Sequence, residues 1–146
     1  MILLNVPEHG HAIANAARCY YNPACDQVIS RVDQEGELLG GVIFQGYTGT
    51  SIHMHMAGFV DHWANRDLIW CVFDYPFNQL GCKKVFGQVC EANTKALEID
   101  LKLGFKIVAK VDDVYPEGAC LVLAISPEEC RWLKVKPRAL RSLRGA

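Results

Sequence analysis

Val85-Phe86-Gly87-Gln88-Val89-Cys90-Glu91-Ala92-Asn93-Thr94-Lys95-Ala96-Leu97-Glu98-Ile99-Asp100-Leu101-Lys102-Leu103-Gly104-Phe105 reads as strand, turn, helix and the opening of a second strand. Val85, Phe86 and Val89 favour extended backbone, and Asn93 stands where its side-chain oxygen can accept a bond from an otherwise unpaired amide of the first helical turn. Ala96, Leu97, Leu101 and Leu103 then recur at helical spacing, leaving Lys95, Glu98 and Lys102 for water. Gly104 can take the left-handed conformation that ends a helix at little cost, and Phe105 to Val111 alternates as a half-buried strand does.

Upstream, Asp26–Asp33, Leu38–Gln45 and Ser51–Met56 are three β-favouring runs separated by turn residues, which predicts an antiparallel meander. Two-residue periodicity puts Ser51, His53 and His55 on one face of the third run and Ile52, Met54 and Met56 on the other. An apolar stripe predicts a helix over Asp67–Leu80, kinked or reset at Pro76 and stopped by Gly81. Nearer the start, Ile2–Val6 reads as a short strand and Glu8–Tyr21 as a helix with Ile13, Ala16, Ala17 and Tyr20 on one face. Downstream, Phe105–Val111 and Ala119–Ile125 should pair as a hairpin across Tyr115-Pro116-Glu117-Gly118, with a short helix opening at Pro127. Together these predict an α+β fold with a mixed sheet: a meander, then a β-α-β-α-β unit with a C-terminal hairpin. Strand order should follow the chain, with parallel pairing confined to the strands near 51–57 and 84–90.

With 146 residues and 51 % apolar content, the chain is expected to form one domain over 1–133, followed by a basic tail over 134–146. That tail carries five basic residues and no acidic one from Lys134 to Arg144, which suits a solvated end or contact with nucleic acid or another acidic partner. A net charge of −1 leaves no nucleic-acid footprint on the molecule as a whole. No apolar run approaches the ~20 residues a membrane-spanning helix needs, so a cytoplasmic protein is expected. Seven cysteines without a C-x-x-C pair read as buried apolar side chains in a reducing compartment, and Cys90 is the one candidate reactive thiol.

Asn93-x-x-Ala96-Leu97 followed by Leu103-Gly104-Phe105 resembles the acetyl-CoA-binding core of the GNAT superfamily of N-acetyltransferases. The resemblance covers roughly residues 25–126, and Phe73–Gly81 looks most like the small phage-encoded members, for which the location would be a host cytoplasm. It implies a GNAT-like acyltransferase domain that uses acetyl-CoA as co-substrate and an amine as acceptor. The third meander strand and the strand near Lys84 would splay apart, placing the pantetheine arm between Met56-Ala57-Gly58 and Val89-Cys90-Glu91, with Asn93 donating its side-chain amide. The pyrophosphate would sit at the start of the Asp67 helix. There the family's Arg/Gln-x-x-Gly-x-Gly/Ala loop is replaced by Val60-Asp61-His62-Trp63-Ala64-Asn65-Arg66, without glycine, so Trp63, Asn65 and Arg66 would supply stacking, hydrogen bonds and charge. The family's tyrosine acid, seven residues after the asparagine, is replaced by Asp100, which can donate a proton at neutral pH only if burial raises its pKa by several units; Tyr75 or Tyr115 could stand in.

For the base the sequence offers His53 and His55, either of which can take a proton from an ammonium group near neutrality. No third ligand accompanies them, so no metal is expected. The other reading is a re-purposed or non-catalytic protein of the same fold that binds or modifies nucleic acid or a protein partner. Neither the acceptor nor the oligomeric state can be read from these residues.

Overall fold

The structure is a computed structural model that describes residues 1–134; the expected basic tail lies outside the described residues apart from Lys134. Strands β1 (Ile2–Leu4), β2 (Gln27–Val32), β3 (Leu38–Gln45) and β4 (Ser51–Gly58) pair in succession, each antiparallel to the last. Helix α1 (Pro7–Ala17) connects the first two. Helix α2 (Arg66–Asp74) then carries the chain from β4 to β5 (Lys84–Cys90), which lies parallel to β4 as a helical crossover requires. Helix α3 (Thr94–Leu103) leads to β6 (Lys106–Tyr115), and β7 (Gly118–Ile125) returns beside it.

The seven-stranded sheet has the order β1-β2-β3-β4-β5-β7-β6, so the expectation that order follows the chain fails at its last two strands. Burial explains the inversion. β7 is apolar along its whole length and nearly all buried, which suits an interior strand, whereas β6 interleaves Lys106, Lys110, Asp112 and Asp113 with its apolar residues and is exposed almost throughout. β7 therefore slots between β5 and β6, and antiparallel pairing to both is satisfied.

Two cores flank the sheet. Under α2 and α3 lie Ile29, Val42, Phe44, Ile52, Met54, Phe73, Val85 and Phe105, and the opposite face packs Ile13 and Ala14 of α1 on Val28 and Ile43. The helix expected over Glu8–Tyr21 starts at Pro7 and stops at Ala17, because Arg18 takes the left-handed conformation at φ 57° and its amide caps the carbonyl of Ala14. Tyr20, placed on the apolar face by periodicity, is consequently 95 % exposed. Pro76 resets the end of α2 into a widened turn over Tyr75–Gln79, where the side-chain amides of Asn78 and Gln79 donate to the buried carboxylate of Asp74 at 2.9 and 2.8 Å. Among the described residues no helix is long and apolar enough to cross a membrane.

Candidate active site

The parallel ladder between β4 and β5 lasts for three pairs, Ser51 with Lys84, Ile52 with Val85 and His53 with Phe86. β4 continues to Gly58 and β5 to Cys90, but they continue unpaired with one another. The gap opens into a groove of about 1190 Å³ whose walls include Met56, Ala57 and Gly58 on one side and Val89 and Cys90 on the other. These are the walls the sequence led us to expect, save that Glu91 turns away. Its carboxylate accepts from the Ala119 amide at 3.2 Å and pairs with Lys110.

The end of the ladder separates the two histidines. His53 is still opposite Phe86, with ring centroids 5.5 Å apart, and does not line the groove. His55, one pleat further, does. Burial holds its pKa below the usual imidazole value, reinforced by the nearby His53 and opposed by Asp26, so at neutral pH the ring is uncharged with a lone pair free to accept a proton. The structure therefore brings one of the two candidate bases to the site and leaves the other in the zipped half of β4.

Asp100 lies on α3 and also lines the groove, 7 % exposed, with no hydrogen-bond or ion-pair partner for its carboxyl among the described residues. Burial alone raises its pKa from the ordinary 3.8 to about 7. This is the shift the sequence made a condition for proton donation: near neutrality a substantial fraction of the carboxyl is protonated. Of the two tyrosines that could stand in, Tyr115 lines the groove, while Tyr75 packs edge-on against Phe44 in the core at 5.1 Å.

The loop after β4 departs most from expectation. Trp63 is 8 % exposed and packs into the core, while part of its surface lines the groove. Its indole lies so close over Gly58 that a β-carbon there would come within 2.0 Å of the ring, and one on Gly40 within 2.5 Å. Gly40 and Gly58 face each other across the β3–β4 ladder, forming a flat seat for the ring. The close approach expected of a ligand at Gly58 is thus made by this chain's own tryptophan. The turn that places it needs no glycine because His62 takes the left-handed conformation at φ 60°, and Arg31 donates to the carbonyls of His62 and Trp63 at 2.9 and 3.0 Å.

Asn65 proves to be a helix cap. Its side-chain oxygen accepts from the Leu68 amide at 2.9 Å, leaving the amides of Arg66 and Asp67 without an intrahelical acceptor at the positive end of α2. Neither Asn65 nor the exposed Arg66 lines the groove itself; both sit at its rim where the helix begins. Asn93 caps α3 in the same way, accepting from the Ala96 amide at 3.2 Å, but is exposed and does line the groove. Two ion pairs lie along the lining of the groove. Lys95 reaches Asp61 at 3.5 Å between α3 and the loop, and Arg18 reaches Glu117 between the end of α1 and the β6–β7 turn. Sequence reasoning missed Arg18, Glu117, Arg31 and Gly40; only the Gly40-Gly41 pair inside a strand run carried a signal of close packing.

Compared by sequence, the chain matches no family model and no curated protein. Compared by structure, it is similar to a mutant form of the spermidine N-acetyltransferase SpeG from Vibrio cholerae. The TM-score is 0.68 at 16 % identity, covering 86 % of this chain and 94 % of that one. The manganese-containing crystal structure of spermidine/spermine N-acetyltransferase SpeG from the same organism matches at TM-score 0.65 and 17 % identity, over 86 % of this chain and 91 % of that one. A GNAT-family acetyltransferase from Bacillus anthracis matches at TM-score 0.62 and 12 % identity, over 88 % and 96 %. The fold is that of the GNAT acetyltransferases.

Proposed function

We propose that this chain is an N-acetyltransferase that passes an acetyl group from acetyl-CoA to an amine. The observation that carries the reading is the early end of the β4–β5 ladder, which opens a through-going groove with a neutral imidazole, His55, and a buried carboxyl, Asp100, on its walls. The open edges of β4 and β5 offer unpaired backbone groups to a pantetheine-like arm. The free amides at the start of α2, with Arg66 and Lys95 nearby, suit a pyrophosphate. His55 takes the proton from the attacking amine, whose nitrogen forms the new amide bond as the thioester carbon–sulfur bond breaks. Asp100 returns a proton to the departing thiolate. In this reading Met56, Ala57 and Asn93 hold the co-substrate, Asn65 and Arg66 shape its anion end, and Gly58 with Trp63 seated on it completes the wall.

The test is calorimetric titration of the full chain with acetyl-CoA and with CoA, beside a thiol-release assay over a panel of amines. Saturable binding of both and amine-dependent release are expected. No binding at millimolar concentration would leave the fold without the activity. A second reading, a re-purposed binding protein of the same fold, is favoured by the seat of Trp63, which fills space over Gly58 that a ligand could otherwise use. It predicts that Trp63→Ala gains CoA affinity that the native chain lacks.

A further inference from the structure

The face of the groove away from α2 and α3 carries a charged arrangement that the acetyl-transfer reading leaves unused. Arg18 closes α1 in a left-handed conformation that a glycine would fill more cheaply, yet the position holds a long cation. From there its guanidinium crosses to the β6–β7 turn, pairs with Glu117 and lies over the ring of Tyr115, 5.5 Å from the centroid. Arg18, Tyr115 and Glu117 all line the groove, as does His55. The Arg18 and Glu117 side chains are 54 % and 41 % exposed, so the pair is open to a ligand.

Charge decides which ligand this mouth accepts. Of the groove's carboxyl groups, Asp61 and Asp100 belong to the loop and helix of the other side, and on this side Glu117 is already occupied by Arg18. A polycation would have to break that pair and would leave its own charge beside a guanidinium. A carboxylate meets the opposite situation. One Nη of Arg18 is engaged by Glu117, and the remaining donors of the fork can take an anion without losing that bond or the aromatic face beneath.

We infer that the acceptor is an amine carrying a carboxylate at its far end, an amino-acid-type molecule, and that Arg18, held by Glu117 and Tyr115, is the residue that selects it. This deepens the acetyl-transfer reading and rests on it for the fate of the amine. Glu117 is a positioning residue: it orients the guanidinium, and its own charge offsets part of the pull of Arg18 on a ligand carboxylate.

Three amines of matched chain length separate the alternatives: pentylamine, with no second charge; δ-aminovalerate, with a carboxylate; and cadaverine, with a second ammonium. Calorimetric titration of the full chain with each should show δ-aminovalerate binding roughly tenfold tighter than pentylamine, and cadaverine weakest. Arg18→Gln should erase the preference for δ-aminovalerate over pentylamine, read as the ratio of the two affinities. Arg18→Glu should invert the order in favour of cadaverine, a reversal that a merely structural contact would not produce. Glu117→Gln should keep the preference for the carboxylate. Thiol release with acetyl-CoA should follow the same order in kcat/KM. Cadaverine binding as tightly as δ-aminovalerate, or no binding of any amine at millimolar concentration, overturns the inference. Selective binding without thiol release keeps the acceptor site and removes the transfer reading. Release from all three amines at equal kcat/KM keeps the transfer reading and removes this one.

Discussion

His53 and His55 occupy the same face of the same strand two residues apart, yet one lies in the zipped half of β4 and the other in its open half. The residue type is the same and so is the local backbone. What separates them is a long-range event, the point at which β5 stops pairing. In the proposed reading a general base arises from where a ladder ends, and a motif that marks both histidines equally cannot tell which of them reaches the groove.

The sharpest way to break this comparison is to remove each ring. His55→Ala should lower kcat by roughly 10²–10⁴-fold, the usual contribution of a general base, while His53→Ala should leave it within a few-fold. Thiol-release kinetics measure both, and equal losses would mean that the zipped half reaches the chemistry. Asp100 sharpens the same point from the other wall. Asp100→Asn should lower kcat and remove the limb that falls as pH rises through about 7.

Asp100 also makes a stability prediction with a definite sign. Its folded pKa, about 7, stands above the ordinary 3.8, so burial of the neutral acid favours the fold at low pH and that advantage is lost as pH rises through the folded value. By this linkage the native chain should lose up to a few kcal/mol between about pH 4 and pH 8 from this group alone. Asp100→Asn should therefore gain melting temperature relative to the native chain as pH is raised across that interval. A difference that stays constant with pH would place the carboxyl in water.

Smaller effects test the wall behind the open half. Gly58→Ala pushes a methyl into the indole of Trp63 and should cost about 1–3 kcal/mol, the range for overpacking a core, measured by urea denaturation. Asn65→Ala and Asn93→Ala should each cost about 1 kcal/mol through a lost helix cap. Asn93→Ala, whose residue lines the groove, should also weaken CoA binding, and Asn65→Ala should do so to a smaller extent by fraying the start of α2.

The parts of this molecule legible in its sequence are those decided within a few residues. Asn93 capping α3, Gly104 at φ 109° ending it and the facing of Ile52 and Met54 into the core follow from local spacing. The GNAT-type splay was accessible through the resemblance carried by the Asn93 helix. Other features need contacts between distant segments. Trp63 reads as a loop aromatic, and only the register partners Gly40 and Gly58 show that its ring is seated on the sheet. Asn65 reads as a loop residue, and only its bond from the Leu68 amide shows that its oxygen caps α2 and leaves its side-chain NH2 to donate. β6 and β7 exchange places because burial on both faces, which acts on the finished sheet, outweighs the order in which the strands are made. Arg18 and Glu117 stand 99 residues apart, and nothing near either one announces the other.

The inverted order has a cost in solution behaviour. It leaves β6 as a ten-residue edge with Ile107, Val108, Val111 and Val114 each about half exposed, a composition that invites templating by other chains. Two interruptions of register, between Ile107 and Ala109 and between Val111 and Tyr115, with Asp113 at φ 63° in the second, keep that edge from presenting a flat ladder. Lys106 and Lys110 add charge along it. Colloidal stability in this protein thus depends on a few backbone irregularities in a strand remote from the chemistry, and changes that straighten β6 would turn its rim into a seed for aggregation.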